Sequence, residues 1–142
     1  MPLVWRTVDP ARLDPAFRAA VIDLFARLPD RYVVTHGART LEEQSALYTA
    51  WMAYKRRGFT PPVAGKAAPP GRSAHNFGMA IDVVVDADPT TERLEPTWDT
   101  KVSGWVRLKL ALAGHPLLSH GWWFGDWPHI EWRGWKALAG VR

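Results

Sequence analysis

The sequence predicts a single α+β domain in which helices pack on a small antiparallel sheet. Apolar residues recur at helical spacing in some segments and form short β-branched runs in others. The two kinds of segment arrive mixed, without the regular strand–helix alternation of a parallel sheet. The chain has 142 residues, the size of one ordinary domain. We therefore expect residues 1–142 to form one domain without a second module.

Three segments are predicted to be helices: residues 14–28, 40–57 and 102–113. The first begins with Asp14 as N-cap and a proline at the first helical position. The second begins at Thr40, and Glu43 three residues later completes a capping box. The third carries its apolar residues on one side and ends at Gly114.

Strands are predicted where β-branched and aromatic residues cluster, at residues 31–36, 80–85 and 129–132. Between the second helix and the second strand, residues 58–74 contain four prolines and three glycines. This composition indicates an irregular loop, and a loop of that length in a small domain is usually functional or mobile.

Composition excludes several classes of protein. No apolar run approaches the roughly 20 residues that span a bilayer, and the N-terminal residues lack the pattern of a secretory signal. There is no cysteine, so disulfides and thiolate metal sites are excluded. The net charge of +4 fits either ordinary solubility or attraction to an anionic polymer. The basic residues are scattered, which disfavours nucleic acid as a partner, and we expect a monomer that does not insert into membranes.

Two separate segments bring together residue types that bind zinc. The segment 73–82 contains His75 and Asp82, and the segment 126–131 contains His129. Two imidazoles and one carboxylate form a catalytic type of ligand set, because three protein ligands leave a position open for water. Asp126, three residues before the last histidine, is then the natural general base for that water.

Each ligand also has a simpler interpretation. Asp82 lies between apolar residues of a predicted strand, where burying its charge would be costly unless a partner such as a metal ion were present. Alternatively, the strand could lie at the edge of the sheet with the Asp82 carboxylate in solvent. His129 lies between apolar residues and could be an ordinary core histidine. Glu131 should share the side of His129 in a strand and hold its imidazole, with a surface salt bridge as the alternative.

Other residues are weaker candidates. His36 and His120 are close in sequence to the proposed site, whereas His115 follows a helix C-terminus, where a cation is simply favourable. The chain has nine tryptophans. Five of them cluster in sequence near the proposed site: Trp122, Trp123, Trp127, Trp132 and Trp135. We expect most of these side chains to belong to the hydrophobic core and one or two to line a groove for glycan or peptide.

The motifs resemble those of a known family. The patterns S-x-H-x-x-G-x-A-x-D and D-x-P-H-x-E, with an upstream G-x-R-T-x-E-E-Q at residues 37–44, are similar to those of the zinc peptidases of bacterial cell walls. That family comprises D-alanyl-D-alanine carboxypeptidases and dipeptidases, and L-alanyl-D-glutamate endopeptidases that are often phage endolysins. The resemblance runs from about Val33 to Trp132 and implies the hedgehog-like fold of these enzymes.

The resemblance implies roles for individual residues. By it, His75, Asp82 and His129 are zinc ligands, Asp126 is the base, and Arg39 contacts the substrate. Ser73 stands where the family often has a substrate-binding serine. Arg39 would hold the oxyanion of the intermediate, or alternatively only bond carbonyls at the start of a helix.

The sequence thus predicts a zinc peptidase that hydrolyses peptidoglycan stem peptides. An L-alanyl-D-glutamate endopeptidase is preferred, with a D-alanyl-D-alanine carboxypeptidase or dipeptidase as the close alternative. A non-catalytic zinc-binding module is disfavoured because Asp126 and Arg39 are both present. We expect synthesis in the cytoplasm and action on the cell wall, with release by a holin if the protein belongs to a phage, and no separate wall-binding domain.

Overall fold

A computed structural model describes residues 3–58 and 67–142 of the chain. The helices are α1 (Pro15–Ala26), α2 (Leu41–Arg56), α3 (Ser103–Leu112) and α4 (Trp135–Ala139). The strands are β1 (Val4–Trp5), β2 (Tyr32–His36), β3 (Ala80–Asp86), β4 (Pro96–Thr97), β5 (Leu118–His120) and β6 (His129–Trp132).

The strands form one sheet in the order β1-β2-β3-β6-β5, with β4 pairing to β3. All neighbours are antiparallel except β1 and β2, which are parallel. The predicted antiparallel sheet is therefore corrected to a mixed sheet. The parallel pair is possible because a 3₁₀ turn and α1 supply the long crossover between β1 and β2 that parallel neighbours require.

The hydrophobic core lies where α1 and α3 cover the central strands. It includes Phe17 and Phe25 of α1, Trp105 and Leu108 of α3, and Ile81 of β3, all fully buried. Because β3 is flanked by paired strands on both sides, it is not the edge strand of the alternative interpretation for Asp82. A smaller cluster of Ala74, Ala80 and Trp135 lies beneath the turn that carries His75.

The predicted helix starts are confirmed in atomic detail. The Asp14 side chain accepts a hydrogen bond from the backbone N–H of Phe17 at 3.0 Å. Thr40 and Glu43 make both hydrogen bonds of the capping box, at 3.0 and 3.3 Å. These contacts satisfy backbone donors that the first turn of a helix leaves unpaired.

Several short elements were not predicted. The strands β1 and β4 have two residues each, β5 has three, and α4 has five, so none is long enough to show a periodic pattern. Of the predicted loop at 58–74, residues 67–73 are irregular and residues 59–66 lie outside the described part of the chain. Within the described ranges, no helix is both long and apolar enough to cross a membrane.

Candidate active site

The site begins with a row of side chains across three neighbouring strands. In the sheet register His36 of β2 is opposite Asp82 of β3, and Asp82 is opposite His129 of β6. Paired residues on adjacent strands point to the same face, so the three side chains converge. The Nδ1 atom of His129 lies 3.3 Å from Asp82 Oδ1, and the Nδ1 atom of His36 lies 3.5 Å from Asp82 Oδ2.

His75 reaches this row from a 3₁₀ turn, residues 74–77, that precedes β3. Its Nε2 atom lies 3.5 Å from Asp82 Oδ2, and the residue is only 3% exposed. The turn ends at Gly78, which has a φ of +66°. A Cβ there would lie 2.9 Å from the backbone oxygen of Arg12 and the backbone nitrogen of Asp14, so only glycine fits this motif position.

Backbone and carboxylate partners fix which nitrogen of each imidazole faces the cluster. The Nδ1 atom of His75 lies 2.8 Å from the carbonyl oxygen of Gly37, to which it donates, which leaves the Nε2 lone pair free. The Nε2 atom of His129 lies 2.8 Å from Glu131 Oε2, which leaves Nδ1 for the cluster. Glu131 is therefore on the same side of β6 as His129.

This donor set fits zinc. The candidate ligand atoms of His75, Asp82 and His129 all lie within 4.8 Å of one another. Each imidazole has a hydrogen-bond partner on its outer nitrogen, the arrangement that orients metal-binding histidines. Two imidazoles and one carboxylate are a catalytic type of zinc ligand set.

Without a metal ion the three residues form a charged cluster. Burial alone would raise the pKa of Asp82, but the hydrogen bonds from His129 and His75 hold it far below its usual range. Burial opposes charge on His129, yet Asp82 and Glu131 raise the pKa of His129 to about 10. The two carboxylates thus favour a proton on His129, and a bound cation would supply that positive charge in place of the proton.

Asp126 lines the same cleft from the turn before β6. Its backbone N–H donates to Gly121 at 3.0 Å, and its carbonyl oxygen accepts from His129 N–H at 3.2 Å. Desolvation in the cleft and the negative charge of Asp82 both raise the pKa of the Asp126 carboxyl. A raised pKa favours a group that takes up and returns a proton near neutral pH.

Arg39 points into the cleft rather than toward the carbonyls of the nearby helix. Its Nη2 atom lies 3.5 Å from Asp82 Oδ2, and its Nη1 atom donates to Gln44 Oε1 at 3.4 Å. Gln44, only 1% exposed, also donates to the carbonyl oxygen of Ala68 at 2.8 Å. Sequence reasoning assigned no role to Gln44, because its burial depends on contacts with residues distant in the chain, such as Ala68.

Ser73 has a structural contact at this site. Its hydroxyl accepts a hydrogen bond from His75 N–H at 3.3 Å and so supports the turn that carries the ligand. The residue also lines the cleft, so the predicted contact with substrate stays a prediction.

The cleft has a volume of about 490 Å³. Its lining includes the predicted ligands, Ser73, Arg39, Asp126 and Glu131. It also includes Trp135, one of the tryptophans expected near the site, and Arg72, to which the sequence analysis assigned no role. A second cavity of about 590 Å³ adjoins it and shares His36, Arg39 and Leu47. This second cavity therefore lies on the β2 side of the row of ligands.

The two remaining histidines do not line either cavity. His120 is buried, and its Nε2 atom donates to the carbonyl oxygen of Trp127 at 2.6 Å; burial lowers its pKa. The Nδ1 atom of His115 accepts from the backbone N–H groups of Leu117 and Leu118 at 3.0 Å, so His115 shapes a turn.

The clustered tryptophans divide into two groups. Trp135 is buried and lines the cleft, and Trp127 and Trp132 pack against the core. Trp122 and Trp123 are exposed, so they are not the core residues that most of this group were expected to be.

The fold and the His–Asp–His site are those expected of a zinc metallopeptidase. The family model of VanY, described as D-alanyl-D-alanine carboxypeptidase, matches residues 15–116, well over half of the chain. The chain therefore belongs to the VanY family and is a peptidase of peptidoglycan. The matched region contains His75 and Asp82 but ends before Asp126 and His129, which the sheet register brings to the same cleft.

Solved structures show the same fold. The Serratia marcescens L-Ala D-Glu endopeptidase ChiX is 18% identical, with a TM-score of 0.55 over 92% of this chain and 90% of that chain. VanYB in complex with D-alanine-D-alanine is 22% identical, with a TM-score of 0.57 over 91% and 78%. The E175A mutant of the D,D-pentapeptidase VanY from the VanB-type vancomycin resistance cassette, in complex with Zn(II), is also 22% identical, with a TM-score of 0.55 over 90% and 76%.

Proposed function

We propose that this protein is a zinc-dependent L-alanyl-D-glutamate endopeptidase that cuts the stem peptides of peptidoglycan. The observation that carries the proposal is a second cavity that adjoins the cleft on the β2 side of the row of ligands and shares His36, Arg39 and Leu47 with it. An endopeptidase must hold peptide on each side of the bond that it cuts, whereas a carboxypeptidase needs room for one terminal residue on one side. The second cavity beyond His36 and Arg39 supplies space on the β2 side.

His75, Asp82 and His129 would hold the zinc ion, which supplies Lewis-acid activation of the attacking water and of the peptide carbonyl. Asp126 lines the same cleft and is the group that takes the proton from the attacking water. As the C–N bond breaks, Asp126 returns that proton to the nitrogen of the leaving amine.

Arg39 stabilises the negative charge that develops on the carbonyl oxygen. A guanidinium is charged at every working pH and presents donors in a fixed plane. Gln44 accepts from one terminal nitrogen of Arg39 and limits the ways in which the side chain can turn. Donors fixed in place before the reaction stabilise developing charge without a reorganisation cost.

A D-alanyl-D-alanine carboxypeptidase is the second candidate, and the description of the matching family favours it. The two activities give different products from the same substrate. We expect purified peptidoglycan to yield free peptides that begin with D-glutamate, while L-alanine remains on the glycan. Mass spectrometry of the soluble products, with chelator-treated enzyme as control, tests this. Release of free D-alanine as the only product would contradict the endopeptidase proposal and support the second candidate.

Action on the cell wall, with an endolysin's role in bacterial lysis, is part of the same proposal. Its test is the loss of turbidity of cell-wall suspensions on addition of the purified protein. Suspensions that stay turbid while isolated stem peptides are cut would contradict the lytic role.

A further inference from the structure

Two large aromatic side chains stand in solvent beside the cleft. Trp123 is 68% exposed and Phe124 is 52% exposed, and both belong to the 3₁₀ turn at residues 121–124, which we call the aromatic turn. Their rings pack edge to face with centroids 4.6 Å apart. A contiguous exposed apolar patch, unlike a single exposed apolar side chain, can mark a binding surface.

The aromatic turn is built into the same backbone unit as Asp126. The N–H of Gly125 donates to Trp122 at 3.1 Å, and the N–H of Asp126 donates to Gly121 at 3.0 Å. A Cβ at Gly121 would lie 2.4 Å from the carbonyl oxygen of Asp126, so the turn closes tightly on the residue that follows it. The exposed rings are therefore held at a defined place relative to the cleft.

Within the aromatic turn, the third ring already has a partner. The ammonium group of Lys109 lies 3.8 Å from the centre of the Trp122 ring, a cation–π contact that anchors the turn to α3. Trp123 and Phe124 are the rings left to meet a ligand.

Phe124 places this surface on the β6 side of the row of ligands. Its ring centroid lies 6.4 Å from that of His129. The second cavity lies on the opposite, β2 side, beyond His36. A substrate that crosses the site would thus meet the aromatic rings on one side of the scissile bond and the second cavity on the other.

We propose that Trp123 and Phe124 bind the amino sugar that carries the stem peptide, an inference that rests on the proposed endopeptidase function. The C–H faces of a pyranose ring stack on aromatic rings, and peptidoglycan joins its first alanine to the sugar through a lactyl group. A residue spans at most about 3.5 Å, so cleavage after that alanine puts the sugar roughly 7 Å from the scissile carbon, counting the lactyl group as one residue. On the same count, cleavage between the terminal D-alanines would put five residues, the lactyl group included, or roughly 18 Å of extended chain, between them. The centre of the Phe124 ring lies 6.4 Å from that of His129, a candidate zinc ligand, which is on the scale of the first distance and far short of the second.

The test compares one stem peptide with and without its disaccharide. For Trp123→Ala and for the double variant with Phe124→Ala, we expect kcat/KM on the sugar-bearing substrate to fall about tenfold, mainly through KM. On the sugar-free peptide both variants should stay within about twofold of the wild type, because the peptide contacts are untouched. Trp98→Ala is the matched control, since Trp98 is 61% exposed but lines neither cavity. Zinc content and melting temperature verify that each variant is folded.

A second measurement separates this inference from the proposed function. Peptide-free disaccharide is titrated into the zinc-loaded wild type while the indole N–H signals are followed by NMR. A shift of the Trp123 signal supports the sugar contact whichever bond the enzyme cuts, and no shift of that signal overturns it. Equal losses on both substrates would mean that the rings contact peptide and would also overturn the inference. Cleavage only between the terminal D-alanines would overturn the proposed function itself.

Discussion

Replacing Glu131 tests how the zinc site is held together. The Glu131 carboxylate lies 2.8 Å from Nε2 of His129 and fixes the ring with Nδ1 toward Asp82. Partners of this kind typically contribute 10–100-fold in metal affinity, which corresponds to about 1.4–2.7 kcal/mol. We expect Glu131→Ala to weaken zinc binding by that factor. We expect a loss below about tenfold for Glu131→Gln, because an amide oxygen still accepts the hydrogen bond.

The assay is competition for zinc between the protein and a chelator of known affinity, at one fixed pH. Glu92→Ala serves as the control, since Glu92 is an exposed glutamate outside the cleft lining. The backbone of Glu131 pairs with Ala80 and Ser119 whatever its side chain, so the fold should survive. If Glu131→Ala bound zinc as tightly as Glu92→Ala, the glutamate would be a surface salt bridge and the assigned orientation of His129 would be wrong.

Four further predictions concern protons, charge and stability. Burial opposes the charge on His129, but two carboxylates raise the pKa of His129 to about 10, so zinc must displace a proton from this residue. At pH values below that pKa, the measured affinity for zinc should therefore rise about tenfold per pH unit. An affinity that does not change with pH would contradict this. Asp126→Asn should keep zinc, by metal analysis, while kcat falls about 10²-fold or more; normal turnover would place the proton transfer elsewhere. Arg39→Lys should lower kcat more than it raises KM in steady-state assays, without loss of melting temperature; a large drop in melting temperature with activity intact would give Arg39 a structural role only. The Arg107 hydrogen bond lowers the pKa of Asp30, so their pair adds stability above pH ~4 that is lost as the pH falls. Asp30→Asn should therefore cost about 1–3 kcal/mol in denaturant unfolding at neutral pH and less in acid; an equal cost at both pH values would refute it.

The helix caps and the residue types of the candidate ligands could be predicted from short stretches of sequence. An N-cap such as Asp14 acts on backbone groups within the next turn, so the contact is encoded within a few residues. Gly78 is similar, because the turn that follows His75 ends in the left-handed backbone conformation, which favours glycine. The residue types in the two motifs then restrict the chemistry to His and carboxylate ligands.

The sequence could not show how the segments meet. The contact between His36 and Asp82 depends on pairing between strands 46 positions apart in the chain, which no local pattern records. The short strand β1 depends entirely on the edge that β2 offers it. The exposure of Trp123 was likewise invisible, since a tryptophan in an aromatic cluster is usually core.

The position of His129 relative to Asp82 depends on the register between β3 and β6. Ile81 of β3 is opposite Ile130 of β6, and both are fully buried on the face away from the ligands. A slip of one residue in β6 would turn His129 toward the core and Ile130 toward the cleft. Such a slip would bury a polar imidazole without its carboxylate partners and expose an apolar side chain, so the same hydrophobic contacts that stabilise the sheet also hold His129 opposite Asp82. The catalytic geometry is therefore a consequence of the core pattern, and the sequence had to encode both in the same few residues.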